Sequence, residues 1–279
     1  MRLSEAMEGV REYIGDLGAE TWTDSRVARA IQAAIRKIHG KAFKINPEWN
    51  AQTLKVESSD LTSSDDGYTY TLPLYVVDVF DIAKSADGKD LYPFLQEGIK
   101  VSGFSGWRYS RLTPRTIVFA DSSTYFIRYR KKITDQFKGE SGNTSPATST
   151  TNWKVQNVTL GKVTEGENVY AGERIAFNHG GLWTEGHVLS NTAPVDNVAT
   201  FTVDAAATIE EKDIFETILP WKGLLDEEIQ VVAAFILLTK EGHRRGQDGL
   251  AALYAEAMDQ VEDLAGDIGK SQKGVRIEW

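Results

Sequence analysis

The sequence predicts an α+β protein: a small helical bundle made from an N-terminal and a C-terminal helix pair, with an inserted antiparallel β region and a second small β module. Three observations predict it. Apolar residues recur at helical spacing in the first 40 residues and again in the last 70. Between them the pattern changes to alternation, the period of strands. Neither helical end is long enough to bury a good core alone, so the economical solution packs the two ends together.

The N-terminal helix pair spans residues 1–46. Ser4 can cap a helix whose stripe is Met7, Val10, Ile14 and Leu17, ending near Gly15 or Gly18. Thr23 or Asp24 opens a second helix with Val27, Ile31, Ile35 and Ile38 on its stripe, and Gly40 closes it. Arg26, Arg29, Arg36 and Lys37 lie off that stripe, as a solvated face or as a contact for a partner. The antiparallel β region spans 47–138. Residues 52–57 and 68–72 alternate about the turn cluster Ser63-Ser64-Asp65-Asp66-Gly67, which predicts a hairpin. Residues 74–82 read as another strand. Residues 116–119 and 125–130 flank Asp121-Ser122-Ser123 and predict a further hairpin. Residues 139–152 hold almost nothing to bury and read as a linker. The β module over 153–208 carries short apolar runs punctuated by glycine.

The C-terminal helical hairpin spans 209–270. Asp226 can cap its first helix, with Glu227 and Glu228 in the first turn, where the helix dipole favours negative charge. The run 229–238 is apolar almost all round, so that helix must be covered on several sides. A break over 242–249 precedes a second helix over about 248–268, with Leu250, Leu253, Ala257, Val261, Leu264 and Ile268 on one stripe and acids opposite. Gly269 can stop it. In the tail, 271–279, Val275, Ile277 and Trp279 alternate as a strand would, and an apolar tail of this kind should dock on something.

The chain has 279 residues, a net charge of −9 and no cysteine. The charge argues against binding duplex nucleic acid over the whole surface, and the cysteine count excludes disulfides and thiolate chemistry. The N-terminus lacks an apolar signal core, and no apolar run approaches the roughly 20 residues of a membrane span. A protein made and kept in the cytoplasm, or packaged into something assembled there, is expected.

No nucleophile elbow, phosphate loop or dinucleotide fingerprint is present. His179, Glu185 and His187 match no common metal spacing and are most simply turn-region residues; a metal-dependent hydrolase built on them is the enzymatic alternative. No cofactor, metal or catalytic residue is assigned, and no enzyme activity is expected. The concentrated charge feature is basic and aromatic. Trp107, Arg108, Tyr109 and Arg111 lead to Arg128, Arg130, Lys131 and Lys132, either a patch facing DNA or a partner, or the wet face and charged edge of a sheet. Trp153, Trp183, Tyr170 and Phe177 are either core or sugar-stacking faces.

The segments Thr21-Trp22-Thr23-Asp24-Ser25-Arg26-Val27 and Ile218-Leu219-Pro220-Trp221, the latter followed by a helical hairpin and a partly extended tail, resemble the head-to-tail connector (adaptor) proteins of tailed bacteriophages. The likeness covers roughly residues 1–45 and 215–279. It implies a structural virion protein whose helical bundle forms a twelve-subunit ring beneath the portal, at the neck of a virion assembled in the host cytoplasm. Its partners would be further copies of itself, the portal protein and a downstream tail or head-completion protein. Viral DNA would pass through the channel without sequence-specific binding, and no membrane would be involved. The C-terminal segment Val275, Arg276, Ile277, Glu278 and Trp279 would dock on the portal. The β regions depart from the smallest members of that family, which are nearly all helical. The alternative is another tail or neck component whose β module binds carbohydrate or a partner.

Overall fold

The computed structural model describes residues 1–65, 67–86, 90–91, 109–113, 115–142, 149–196, 198–240, 242 and 244–271. Helices stand at both ends of the chain with antiparallel sheets between them, an α+β architecture. The chain divides into two units: Met1–Trp49 together with Ile133–Trp279, and the intervening Asn50–Lys132.

Helix α1 is Leu3–Ile14. Met7 and Val10 are buried as the helical period requires, and Gly15, with φ of 70°, supplies the left-handed C-cap that glycine adopts without a Cβ penalty. Ser4 is not the cap. Arg2 holds that position, and the Ser4 amide instead donates to the buried Glu216 carboxylate at 2.9 Å. Leu17 lies beyond the cap and is exposed rather than on the buried stripe. Helix α2 is Asp24–Ile45, opened by Thr23. It runs straight through Gly40 and ends at Asn46, because a residue before proline is pushed out of the helical region. Between the helices, Arg11 is buried and donates to Asp16 at 2.8 Å, to the Trp22 carbonyl at 2.8 Å and to Asp24 at 2.7 Å. Asp16 in turn accepts the backbone N–H groups of Glu20, Thr21 and Trp22. These bonds hold the Asp16 carboxyl below its usual range, the Thr21 amide most of all.

The inserted unit holds β1 (Ala51–Val56), β2 (Thr62–Ser64), β3 (Gly67–Thr71), β4 (Val76–Ala83), β5 (Tyr109–Thr113), β6 (Thr116–Phe119) and β7 (Tyr125–Lys131). They form two antiparallel sheets, ordered β1-β7-β4 and β2-β3-β6-β5. The two expected hairpins are not made. β1 pairs with β7, not β3, and β6 pairs with β3 and β5, not β7. Alternation decides which face a residue takes; it does not decide which strand lies alongside. The turn cluster closes the shorter hairpin β2–β3.

Six further strands close into a barrel: β8 (Phe137–Ser141), β9 (Ser149–Gly161), β10 (Arg174–His179), β11 (Leu182–Asn191), β12 (Ala199–Thr208) and β13 (Ile214–Thr217). The spatial order is β10-β11-β12-β9-β8-β13, antiparallel throughout. The barrel therefore starts at Phe137, and β8 and the start of β9 occupy half of the segment read as a linker, 139–141 and 149–152; residues 143–148 of it lie outside the described residues. The linker-like composition has a packing reason. A Cβ at Gly139 would sit 2.9 Å from the Gln156 carbonyl oxygen and 3.1 Å from Val155 Cγ1, so the strands approach too closely there for a side chain. Gly161 is more constrained, with φ of 66° and a would-be Cβ 1.9 Å from the Gln136 oxygen.

Helix α3 is Asp226–Lys240 and α4 is Arg244–Ser271. α3 packs against α1, α2 and α4, and Ile229, Val232, Ala233 and Ala234 are fully buried, as its apolar circumference demands. The break between the two helices is shorter than expected. Gly242, with φ of 73°, makes the turn, and α4 then continues through Gly249, Gly266 and Gly269. An interior glycine costs only about 1 kcal/mol against alanine, less than the buried stripe contributes. On that stripe Leu250, Ala257, Val261 and Ile268 are buried, whereas Leu253 is exposed. Tyr254 takes the inward role by stacking on Phe235 at 4.3 Å. One hydrophobic core draws on all four helices.

Candidate functional site

The barrel carries no open aromatic platform built from the residues the sequence singles out. Trp153, Tyr170 and Phe177 are buried inside it, and the ring centroids of Trp153 and Phe177 lie 4.8 Å apart. The Tyr170 hydroxyl donates to the Asp135 carbonyl at 2.9 Å and accepts the Thr164 N–H at 2.8 Å. Burial drives its pKa above the ordinary tyrosine value. A barrel this small is filled by its own side chains. Trp183 alone of the four is partly open, and the Arg2 guanidinium lies 4.0 Å over its ring. The reading of these rings as sugar-stacking faces is therefore corrected for Trp153, Tyr170 and Phe177.

The histidines are not gathered into a centre. His179 stands at the tip of the β10–β11 hairpin opposite Leu182, with Asp213 3.1 Å from its Nδ1. His187 pairs with Arg174 at the other end of the same hairpin, and Glu185 forms an ion pair with Arg174. Among the described residues no cluster of three His, Asp or Glu side chains could hold a metal ion.

The basic patch is divided by the pleat. Along β7, Tyr125, Ile127, Tyr129 and Lys131 are buried while Phe126, Arg128 and Arg130 face the half-open side. Arg128 donates to Asp81 at 2.8 Å, and Asp78 stands opposite Arg130 in the β4–β7 register. That side of the sheet alternates positive and negative charge, an arrangement that stabilises cross-strand pairs. Lys131 is only 2% exposed. Lys132 is exposed and its backbone N–H donates to the Tyr75 carbonyl at 2.7 Å. Arg111 stands on β5 opposite Ile117, in the other sheet, and Arg108 lies outside the described residues. A contiguous basic surface made of Arg128, Arg130, Lys131 and Lys132 is thus corrected: residues adjacent on a strand point to opposite faces.

The tail residues Val275, Arg276, Ile277, Glu278 and Trp279 lie outside the described residues; α4 leads towards them as far as Ser271. What the structure adds is the segregation of charge on the helices. The open side of α2 carries Arg26, Arg29, Arg36, Lys37 and Lys44. The open side of α4 carries Glu256, Asp259, Glu262, Asp263 and Asp267. The two helices touch along one edge, where Lys41 pairs with Glu262 at 2.6 Å and the Lys37 ammonium lies 4.7 Å over the Tyr254 ring. The Glu262 carboxylate raises the Lys41 pKa above the usual lysine range. That these charges lie off the apolar stripes was legible in the sequence; that α2 and α4 bring the two rows to one edge was not.

No protein-family model matches the chain, and no curated protein matches it. Among the described residues no helix is long and apolar enough to cross a membrane.

Proposed function

We propose that this chain is a head-to-tail adaptor: a structural virion protein that assembles into a twelve-subunit ring beneath a portal, joins capsid to tail and leaves a channel for DNA. In this reading the four helices act as one small bundle, and the two β units are insertions that meet the tail, the ring interior or the outside of the neck. The observation that carries it is α3. This helix comes from one end of the chain, is apolar nearly all round, and shares its core with helices from the other end. A chain whose two ends complete each other around one helix, and whose last helix leads into an apolar tail, is built to present that tail to a partner.

The tail Val275 to Trp279 docks on the portal, and DNA passes without sequence-specific contacts. The net charge of −9 discourages adhesion of the passing genome. The test is co-assembly with a cognate portal. Removing residues 274–279 should abolish portal binding in pull-down and electron microscopy while leaving the thermal unfolding profile unchanged. Unaltered portal binding by that truncation overturns the tail assignment. A full-length chain that neither binds portal nor forms rings overturns the adaptor reading itself.

A further inference from the structure

We infer that neighbouring copies of this chain meet through opposite charges, the basic side of α2 on one copy against the acidic side of α4 on the next. This inference rests on the ring reading above and names the faces that build the ring.

The observations are these. The exposed cations of α2, from Arg26 to Lys44, form one stripe about 27 Å long at 1.5 Å rise per residue, within which Arg36 also pairs with Asp135 at 2.5 Å and Lys37 lies over the Tyr254 ring of its own chain. The exposed acids of α4, from Glu256 to Asp267, form a second stripe about 16 Å long. The acids recur at nearly every turn of α4, whereas the exposed cations of α2 stand in groups about two turns apart, at Arg26 and Arg29, at Arg36 and Lys37, and at Lys44. Glu256 and Asp263 make no ion pair or hydrogen bond among the described residues. Beside the acids, Ala251, Ala252 and Ala255 are open and Leu253 is 42% exposed, giving the acidic row an apolar margin that a partner helix can cover.

The occupant follows from the charges. Copies with a net charge of −9 repel one another at long range, so they associate only if a local cationic face meets a local anionic one. The molecule has both, on different helices. Two different faces meeting make a head-to-tail contact, which closes into a ring when the rotation per subunit divides a full turn. α1 also exposes acids, Glu8 and Glu12, but its Glu5 is held by Arg2 and it lacks the apolar margin.

The experiment uses the full-length chain, with size measured by native mass spectrometry and sedimentation at low and high salt. The first variant reverses the α2 row (Arg29→Glu with Lys44→Glu) and the second reverses the α4 row (Glu256→Lys with Asp263→Lys). All four positions are exposed, so each variant should keep the wild-type Tm. Each alone should raise the dissociation constant of the assembly about a hundredfold or more, since facing like charges cost several kcal/mol. Mixed together, the two variants should co-assemble in alternation, because each supplies the face that the other has lost. A control with Glu8→Lys and Glu12→Lys should assemble normally. If the wild-type assembles and the α2 and α4 reversals assemble equally well, this interface is wrong while the ring reading stands. If only the α1 control dissolves the assembly, the acidic partner face is misassigned. If the wild-type stays monomeric even with portal present, the ring reading fails and this inference with it.

Discussion

At the scale of single residues, the buried charge between α1 and α2 organises the N-terminal end. Arg11 serves Asp16, Trp22 and Asp24 together, and removing one partner of a buried ion pair strands the other. Arg11→Met should lower Tm by several degrees in calorimetry. Asp16 sets a pH dependence whose sign follows from its depressed pKa. Its folded-state pKa lies below its unfolded one, so its stabilisation is complete above the ordinary aspartate value of 3.8 and is lost as pH falls through the folded value. Asp16→Asn should therefore flatten the acid limb of the stability curve below pH 4 or so, measured by urea unfolding from pH 7 to pH 2. Gly161→Ala combines a strained φ with a clash against backbone and should cost about 2 kcal/mol or more. None of this is legible in the sequence, where Arg11 and Asp16 look like ordinary surface charges. Ionic character does not reveal burial; only the neighbours do.

Elements show where local pattern suffices and where it fails. The apolar circumference of α3 required cover on several sides, and the structure supplies α1, α2 and α4. Glycine misled in the opposite direction. Gly40 and Gly249 read as a stop and part of a break, and Gly266 lies within the predicted helix; all three sit inside helices with nothing within 4 Å of an added Cβ. Their replacement by alanine should stabilise the chain by about 0.5–1 kcal/mol each, additively in chemical denaturation because the sites are separated. Gly139 is a different case, since its missing Cβ lets β8 and β9 close the barrel. In the barrel, Trp153→Ala should cost about 3–5 kcal/mol, the usual penalty for emptying a large buried aromatic site. If instead Trp153 were a ligand platform, stability would hardly change.

For the whole molecule, the unit Asn50–Lys132 enters and leaves on paired strands, with Ala51 directly opposite Arg130. The chain flanking it is fixed within the other unit. Trp49 is buried against Trp221, and the Gln32 side-chain amide donates to the Thr134 carbonyl and accepts the Gln136 N–H. Facing residues on adjacent strands are only about 5 Å apart, so a short glycine linker can replace residues 50–132. The shortened chain should unfold cooperatively and keep the near-ultraviolet signature of the barrel tryptophans, Trp153 and Trp183. Loss of cooperative unfolding would show that the larger unit depends on the insertion for its stability.

By itself the sequence determined the periods: helices at the two ends, strands between them, a stop near Gly15 or Gly18 and the need to enclose α3. Each follows from residues a few positions apart, where the geometry of one helix turn or one pleat decides. Only the tertiary structure decided which strands pair, that residues 139–141 and 149–152 of a linker-like stretch are barrel strands, and that Arg128 and Lys131 belong to opposite faces. These depend on how closely distant backbones approach, and that distance is set by the fold rather than by any local run of residues.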